Sequence, residues 1–267
     1  MPTTWSAIPP GSRPESVIGP LSHTPGVKIP CMGTVENAAG NDASAESEGY
    51  AVLLRHGQTI WSKTGQYTGR TDIPLTDQGC EQAREAGRKL AKAFPKGFDA
   101  GCVFSSPLRR ARQTAELAGF PDPTPMDEIL EWDYGPAEGH RPQDVVASLG
   151  RDWKLWVDGP RALGIKELTG DRVVVLPSGN RVPVHVTCGE SLDQVAARAR
   201  KIVEWLEPQV CAGRHVLLVA HAHILRILTT QWLALDPSKA QLFRMNTARY
   251  GVLGIYQGER VLRQWNV

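Results

Sequence analysis

Arg55, His56 and Gly57 follow directly on a short apolar run, and their types suit chemistry on a phosphoryl group. An accessible guanidinium forks onto two phosphate oxygens, and a neighbouring imidazole can attack phosphorus. The triplet alone is weak. It continues into GQTIWSKTGQYTGRTDIPLT, in which Gly57, Gly65 and Gly69 permit close backbone approach while Ser62, Tyr67 and Thr68 offer hydroxyl donors. Such a loop suits an anion.

These residues need a frame to hold them. Tyr50 to Leu54 is a continuous apolar run of the kind that forms a strand covered on both faces, and its end delivers Arg55 and His56. Thr76 is placed to cap an amphipathic helix over Glu81 to Ala93, and Ala100 to Ser105 reads as the next strand. Pro107 opens a helical stretch to about Leu117, and Asp144 to Trp156 and Leu192 to Glu207 read as two further amphipathic helices. His215 to Ala220 is the clearest buried strand. This alternation implies an α/β three-layer sandwich with a mostly parallel central sheet flanked by helices, whose ligands bind beyond the strands' carboxyl ends. His56 and His221 both sit just past strand ends.

One segment breaks the rhythm. Asp171 to Thr187 has two β-rich runs around the turn-forming Pro177-Ser178-Gly179-Asn180, so an inserted β-hairpin is expected at about 168–187. A lid, a dimer contact and simple decoration all remain open for it. Residues 1–48 are rich in Pro, Gly, Ser, Thr and Asn with almost no apolar periodicity, and read as a disordered leader before a single domain over 49–267.

Composition narrows the partners. A chain of 267 residues with 41% apolar content and a net charge of +2 has enough core for one globular domain and no basic stripe for nucleic acid. No apolar stretch reaches bilayer length and the start lacks a signal-peptide pattern, which makes a cytoplasmic location the expectation and a membrane an unexpected partner. The five cysteines, Cys31, Cys80, Cys102, Cys188 and Cys211, are odd in number and far apart, unlike metal or redox pairs.

Further downstream, the motif order becomes specific. Leu54 to Thr76 resembles the signature of the histidine phosphatase (phosphoglycerate mutase-like) superfamily, and Ser105-Ser-Pro-Leu-Arg-Arg-Ala-Arg-Gln-Thr114 resembles its second motif. Glu131-Trp-Asp-Tyr-Gly135 is similar to the third, Gly189-Glu-Ser191 is a further match, and Val219-Ala-His-Ala-His223 is similar to the fourth. The resemblance spans about Tyr50 to Val267, interrupted by the hairpin. It implies a nucleophilic His56, a phosphoryl grip by Arg55, Arg110 and His221, and Glu131 as proton donor. The implied outer substrate contacts are Ser62, Tyr67, Thr68, Gly69, Arg198 and Ala222. No cofactor and no metal are implied.

Taken singly, His221 at the end of an apolar strand is more often a satisfied core histidine than a catalyst, and Glu131 and Arg110 are ordinary charges. Their joint order reverses that. His223 stays open between bonding the loop and touching substrate. A proton donor needs a raised carboxyl pKa, which burial of Glu131 against Trp132 or Tyr134 would supply. Two positions depart from the family pattern. Ala222 replaces a usual glycine, which would add strain of about 1 kcal/mol if positive φ were required there, and Ser62 replaces a common asparagine.

The resemblance implies hydrolysis of a small phosphorylated metabolite, nearest the branch with sedoheptulose bisphosphatase and acid phosphatases, so a sugar phosphate or bisphosphate is the expected substrate. Family mutases clasp a carboxylate with paired arginines after the third motif. Arg151-Asp-Trp-Lys-Leu-Trp156 has no such pair. A catalytically silent phosphate-binding module is the alternative outside enzymes, and a homo-oligomer is compatible with the sequence.

Overall fold

The computed structural model describes residues 48–164, 171–177 and 179–267. The expected leader lies outside them, apart from its last residue, as does Cys31. Strand β1 (Tyr50–Arg55) forms as its apolar run dictates, with Ala51 to Leu54 fully buried. It pairs in parallel with β6 (His215–Ala220), every residue of which is buried. Beyond β6 lie β2 (Val103–Ser105) and the short β3 (Thr124–Pro125), both parallel to their neighbours.

The other side of β1 carries β7 (Tyr250–Tyr256) and β8 (Glu259–Gln264), both antiparallel, giving the sheet order β3-β2-β6-β1-β7-β8. This C-terminal hairpin was not anticipated. Its signal is the Gln257-Gly258 turn, where both residues take the positive φ (51° and 81°) that tight hairpin turns demand.

Alternate residues of the central strands feed two apolar layers. Ala51, Leu53, Val216 and Leu218 pack against α6 (Leu192–Cys211) and α7 (Ala222–Trp232). Val52, Leu54, Leu217 and Val219 face Ala86 and Leu90 of α2 (Asp77–Ala93) and Ala115 of α3 (Arg109–Leu117). Helices on both faces make the α/β three-layer sandwich expected from the sequence.

Boundaries shift where local chemistry overrides periodicity. Thr76 caps α2 as expected, its hydroxyl accepting from the Gly79 N–H at 3.0 Å. The single helix expected over Asp144 to Trp156 is instead broken. A helix α4 (Pro142–Leu149) stops at Gly150, whose φ of 62° is the left-handed cap that ends helices, and one turn, α5 (Leu155–Asp158), follows. The inserted hairpin is present as β4 (Arg172–Val175) paired antiparallel with β5 (Arg181–Val184), outside the main sheet. A short helix α1 (Ile60–Thr64), capped reciprocally by Thr59 and Ser62, leads out of the loop after β1. Among the described residues no helix is long and apolar enough to cross a membrane.

The loop leaving β1 crosses the first turn of α2 at very close range. A Cβ on Gly79 would lie 2.1 Å from the Gln58 carbonyl oxygen, a backbone atom that cannot give way without moving the loop behind His56. Gly79→Ala is therefore expected to lower stability by about 1–3 kcal/mol through overpacking, despite alanine's better helix propensity. Urea unfolding checks this; an unchanged or raised midpoint would contradict the close crossing.

Candidate active site

Strand register brings the two histidines together. Arg55 is level with Ala220 on the adjacent parallel strand, so His56 and His221 leave the sheet side by side, with ring centroids 5.2 Å apart. The main-chain N–H of His56 extends the ladder by donating to the Ala220 carbonyl at 2.9 Å. Ser105 is level with Val219, which brings Ser106 to His221.

Hydrogen bonds fix each ring's tautomer. The Nδ1–H of His56 donates to its neighbour's carbonyl, Gly57 O, at 2.7 Å, leaving Nε2 as the unprotonated ring nitrogen. In His221 the order is reversed. Its Nδ1 accepts from Nε of Arg110 at 3.1 Å, so Nε2 carries the proton and donates to Ser106 Oγ at 2.8 Å. Burial, reinforced by the Arg110 charge, holds both imidazoles well below the ordinary histidine range. Both rings are neutral at physiological pH.

Arg110 is completely buried. Besides His221, its guanidinium donates to the carbonyls of Thr71 (2.8 Å), Thr68 (3.0 Å) and Gly69 (2.8 Å), so the charge is held by main-chain dipoles. That loop is in turn tied by Glu138, whose carboxylate accepts from the N–H groups of Gly69 (2.9 Å) and Thr71 (3.1 Å). Arg55 behaves differently. One of its nitrogens bonds Met245 O at 2.6 Å, but its Nε–H is buried with no partner among the described residues, and burial lowers its pKa to about 10.

Glu131 caps α7. The helix's own N-cap residue, His221, makes no side-chain cap bond, and the Glu131 carboxylate takes that place. It accepts from the N–H groups of Ile224 (2.9 Å) and His223 (3.1 Å), and from Trp132 N–H at 3.0 Å. Nδ1 of His223 lies 3.7 Å from it and 2.6 Å from the Tyr134 hydroxyl. The expected raised pKa is not found. Burial does raise it, but the His223 contacts and the helix N-terminus outweigh burial and hold the carboxyl well below its ordinary range.

A cavity of about 470 Å³ gathers these groups. Arg55, His56 and Glu131 line it together, with Ser62, Tyr67, Thr68 and Ala222 from the expected set and with His223, which the sequence left undecided. Its outer wall adds Tyr134, Trp153, Lys154 and Trp156. Arg110 and His221 stand behind this surface.

Other expected contacts lie elsewhere. Gly69 turns its N–H to Glu138 and its carbonyl to Arg110. Arg198 is not in the cavity wall: its guanidinium is spent on Glu190 (2.8 Å) and on the carbonyls of Glu128, Leu130 and Glu131, clamping the segment that carries Glu131. Ser62 is occupied too, donating to Thr59 O at 3.0 Å and accepting from Thr59 N–H at 2.9 Å. Ala222 opens a right-handed helix and is not among the residues with positive φ, so no strain attends the missing glycine. Sequence reasoning gives no role to Ser106, Glu138 or Glu190, and sees Tyr134 only as cover for Glu131. Only a conformation could show which of many similar polar residues are buried and bonded here.

The sequence profile of the histidine phosphatase superfamily (branch 1) matches residues 51–267. An acid phosphatase of Mycobacterium tuberculosis is 35% identical over 79% of this chain and 89% of its own length. A sedoheptulose 1,7-bisphosphatase of Saccharomyces cerevisiae is 28% identical over 70% and 69%. A 2,3-bisphosphoglycerate-dependent phosphoglycerate mutase of Methylobacterium is 37% identical over 66% and 77%. Among solved structures, the product of a Mycobacterium tuberculosis open reading frame superposes with a TM-score of 0.67 at 32% identity, covering 82% of this chain and 97% of that one. The chain belongs to the histidine phosphatase superfamily. Its enzyme class is accordingly phosphoric monoester hydrolase.

The neutral imidazoles have a thermodynamic consequence. His56, His140, His221 and His223 all bind protons less readily in the folded chain than in the unfolded one, each chiefly because it is buried. The folded state therefore holds fewer protons, and stability complete above about pH 6.5 is lost as pH falls below it. Urea midpoints should be level from about pH 7.5 to 8.5 and decline steadily below about 6.5; a midpoint rising toward acid would contradict the assigned ring states.

Proposed function

We propose that the protein hydrolyses small phosphorylated metabolites, sugar phosphates or bisphosphates, in two steps through a phosphohistidine on His56. The observation that carries this is the Nδ1–H of His56 bonded to Gly57 O, which leaves Nε2 the free nucleophilic nitrogen of a neutral ring in the cavity wall. The Arg55 guanidinium, which lines the same cavity, is the natural contact for a phosphoryl oxygen. Arg110 and His221 add positive charge and a fixed dipole from behind, in the manner by which preorganised groups stabilise charge spreading over the equatorial oxygens.

In the first step Nε2 of His56 bonds to phosphorus as the ester P–O bond breaks, and the departing oxygen takes a proton from Glu131. In the second, water attacks phosphorus, Glu131 accepts its proton, and the N–P bond breaks to release phosphate and free His56. The free enzyme holds Glu131 ionised, so the proton for the leaving group arrives with the substrate. A phosphate monoanion carries that proton below its second pKa of about 6, and its negative charge beside Glu131 raises the carboxyl's proton affinity.

The outer wall supports a small polar ring as the alcohol portion. Tyr67, Tyr134, Trp153 and Trp156 supply aromatic surface, and about 470 Å³ accommodates a sugar phosphate. Hydrolysis is favoured over phosphoryl return by the segment after the third motif. Arg151 bonds the carbonyls of Asp152 and Ala162 and does not reach the cavity, leaving Lys154 the cation of that wall among the described residues. Phosphate release across sugar phosphates, phosphoglycerates and nucleotides tests the substrate class, with sugar phosphates expected to lead; preference for nucleotides would overturn it.

The role of Glu131 makes a joint prediction. kcat/KM should be highest near or below pH 6 and fall about tenfold per pH unit above it. Glu131→Gln should slow alkyl phosphates by about 100-fold or more, while para-nitrophenyl phosphate, whose leaving group needs no proton, is slowed far less. A flat profile in the wild type, or equal slowing of both esters, would remove Glu131 from this role.

A further inference from the structure

The inserted hairpin shares a small apolar cluster with the loop that follows His56. Leu176, Val182, Val184 and Val186 bury their side chains against Trp61 of α1 and Ile73, in a cluster separate from the two layers of the main sheet. The opposite face of β4 is open to solvent: Val173 is 51% and Val175 60% exposed. Burial is thus one-sided, toward the phosphate loop.

A polar tether accompanies it. The Arg172 guanidinium donates to the carbonyl oxygen of Glu138. The segment holding Glu138 is stitched to the loop by Gly139 N–H to Tyr67 O at 2.9 Å, Tyr67 N–H to His140 O at 2.9 Å, and Gln66 Nε2 to Gly139 O at 2.8 Å. The Glu138 carboxylate holds Gly69 and Thr71, whose carbonyls hold Arg110, which holds His221. Every link from the hairpin to the buried guanidinium is a direct contact.

We propose that the hairpin is the outer half of the phosphate site's support, with Arg172 a positioning residue that sets the 66–71 loop and through it the Arg110 guanidinium. It acts on anion binding without touching the anion. Neither Arg172 nor Val184 lines the catalytic cavity. The other readings of the hairpin make different demands. Decoration needs no effect on the site, and a lid needs contact with the cavity mouth.

The inference rests on the phosphate site proposed above, and affinity for inorganic phosphate, read by titration calorimetry on the full chain, tests it without relying on turnover. Arg172→Ala and Val184→Ser are each expected to weaken phosphate binding by about tenfold, equivalent to ~1.4 kcal/mol. Arg172→Lys, which can still donate to the Glu138 carbonyl, should recover part of the loss, and Val173→Ala on the open face should bind as wild type does. Thermal unfolding of each variant separates lost positioning from lost folding, since the main sheet excludes the hairpin. Arg172→Ala and Val184→Ser binding phosphate within about twofold of an active wild type would overturn the hairpin's role alone. A wild type that fails to bind inorganic phosphate would remove the reading of the cavity and this inference with it.

Discussion

A fully buried guanidinium with no carboxylate on it among the described residues is the constraint around which this site is organised. Arg110 is held by three main-chain carbonyls and an imidazole nitrogen. A carboxylate in that place would neutralise the charge locally and weaken its field at the reacting centre. Carbonyl dipoles stabilise the cation while leaving its field available to an incoming anion. Desolvating an ion costs several kcal/mol, so the loop supplying those carbonyls must be rigid. The Glu138 carboxylate, 2% exposed and bonded to two loop N–H groups, supplies that rigidity. Burial, reinforced by the same charge, keeps His56 and His221 neutral, as the proposed nucleophile and hydrogen-bonding dipole require.

Glu131 shows a second economy of parts. Helix α7 begins directly after the sheet, with an N-cap histidine whose ring is committed to Arg110 and Ser106, so its first N–H groups need an acceptor from elsewhere. The carboxylate that supplies it belongs to the third motif, clamped in turn by Arg198 and Glu190. Capping stabilises the anion, and a proton donor needs the acid. In the proposed mechanism the two demands meet when a substrate brings both a proton and a negative charge into the cavity, which ties proton delivery to occupancy.

Much of this was legible in the sequence because it depends on short, ordered motifs. Tyr50 to Leu54 and His215 to Ala220 are apolar runs whose ends fix where His56 and His221 emerge, and parallel pairing then sets them side by side. The α/β sandwich, the inserted hairpin and the Thr76 cap follow from local patterns of the same kind. What could not be read is what depends on the third dimension. Arg198 looks the same in sequence whether it meets substrate or clamps carbonyls. The pKa of Glu131 turns on His223, through its side chain and the helix N–H it carries, some 90 residues away in the chain, where burial alone points the other way. The helix expected over Asp144 to Trp156 overruns α4 because amphipathic spacing continues past Gly150, whose left-handed cap conformation shows only in the backbone.

The central claim is a covalent bond between phosphorus and one ring nitrogen, and acid-labile label is its most direct measure. The protein mixed with a radiolabelled sugar phosphate and quenched in alkali within one turnover should retain phosphate on His56, stable to base, released by acid, and absent in His56→Ala. Full turnover of the same substrate with no base-stable label on the protein, or with label persisting in His56→Ala, would contradict it.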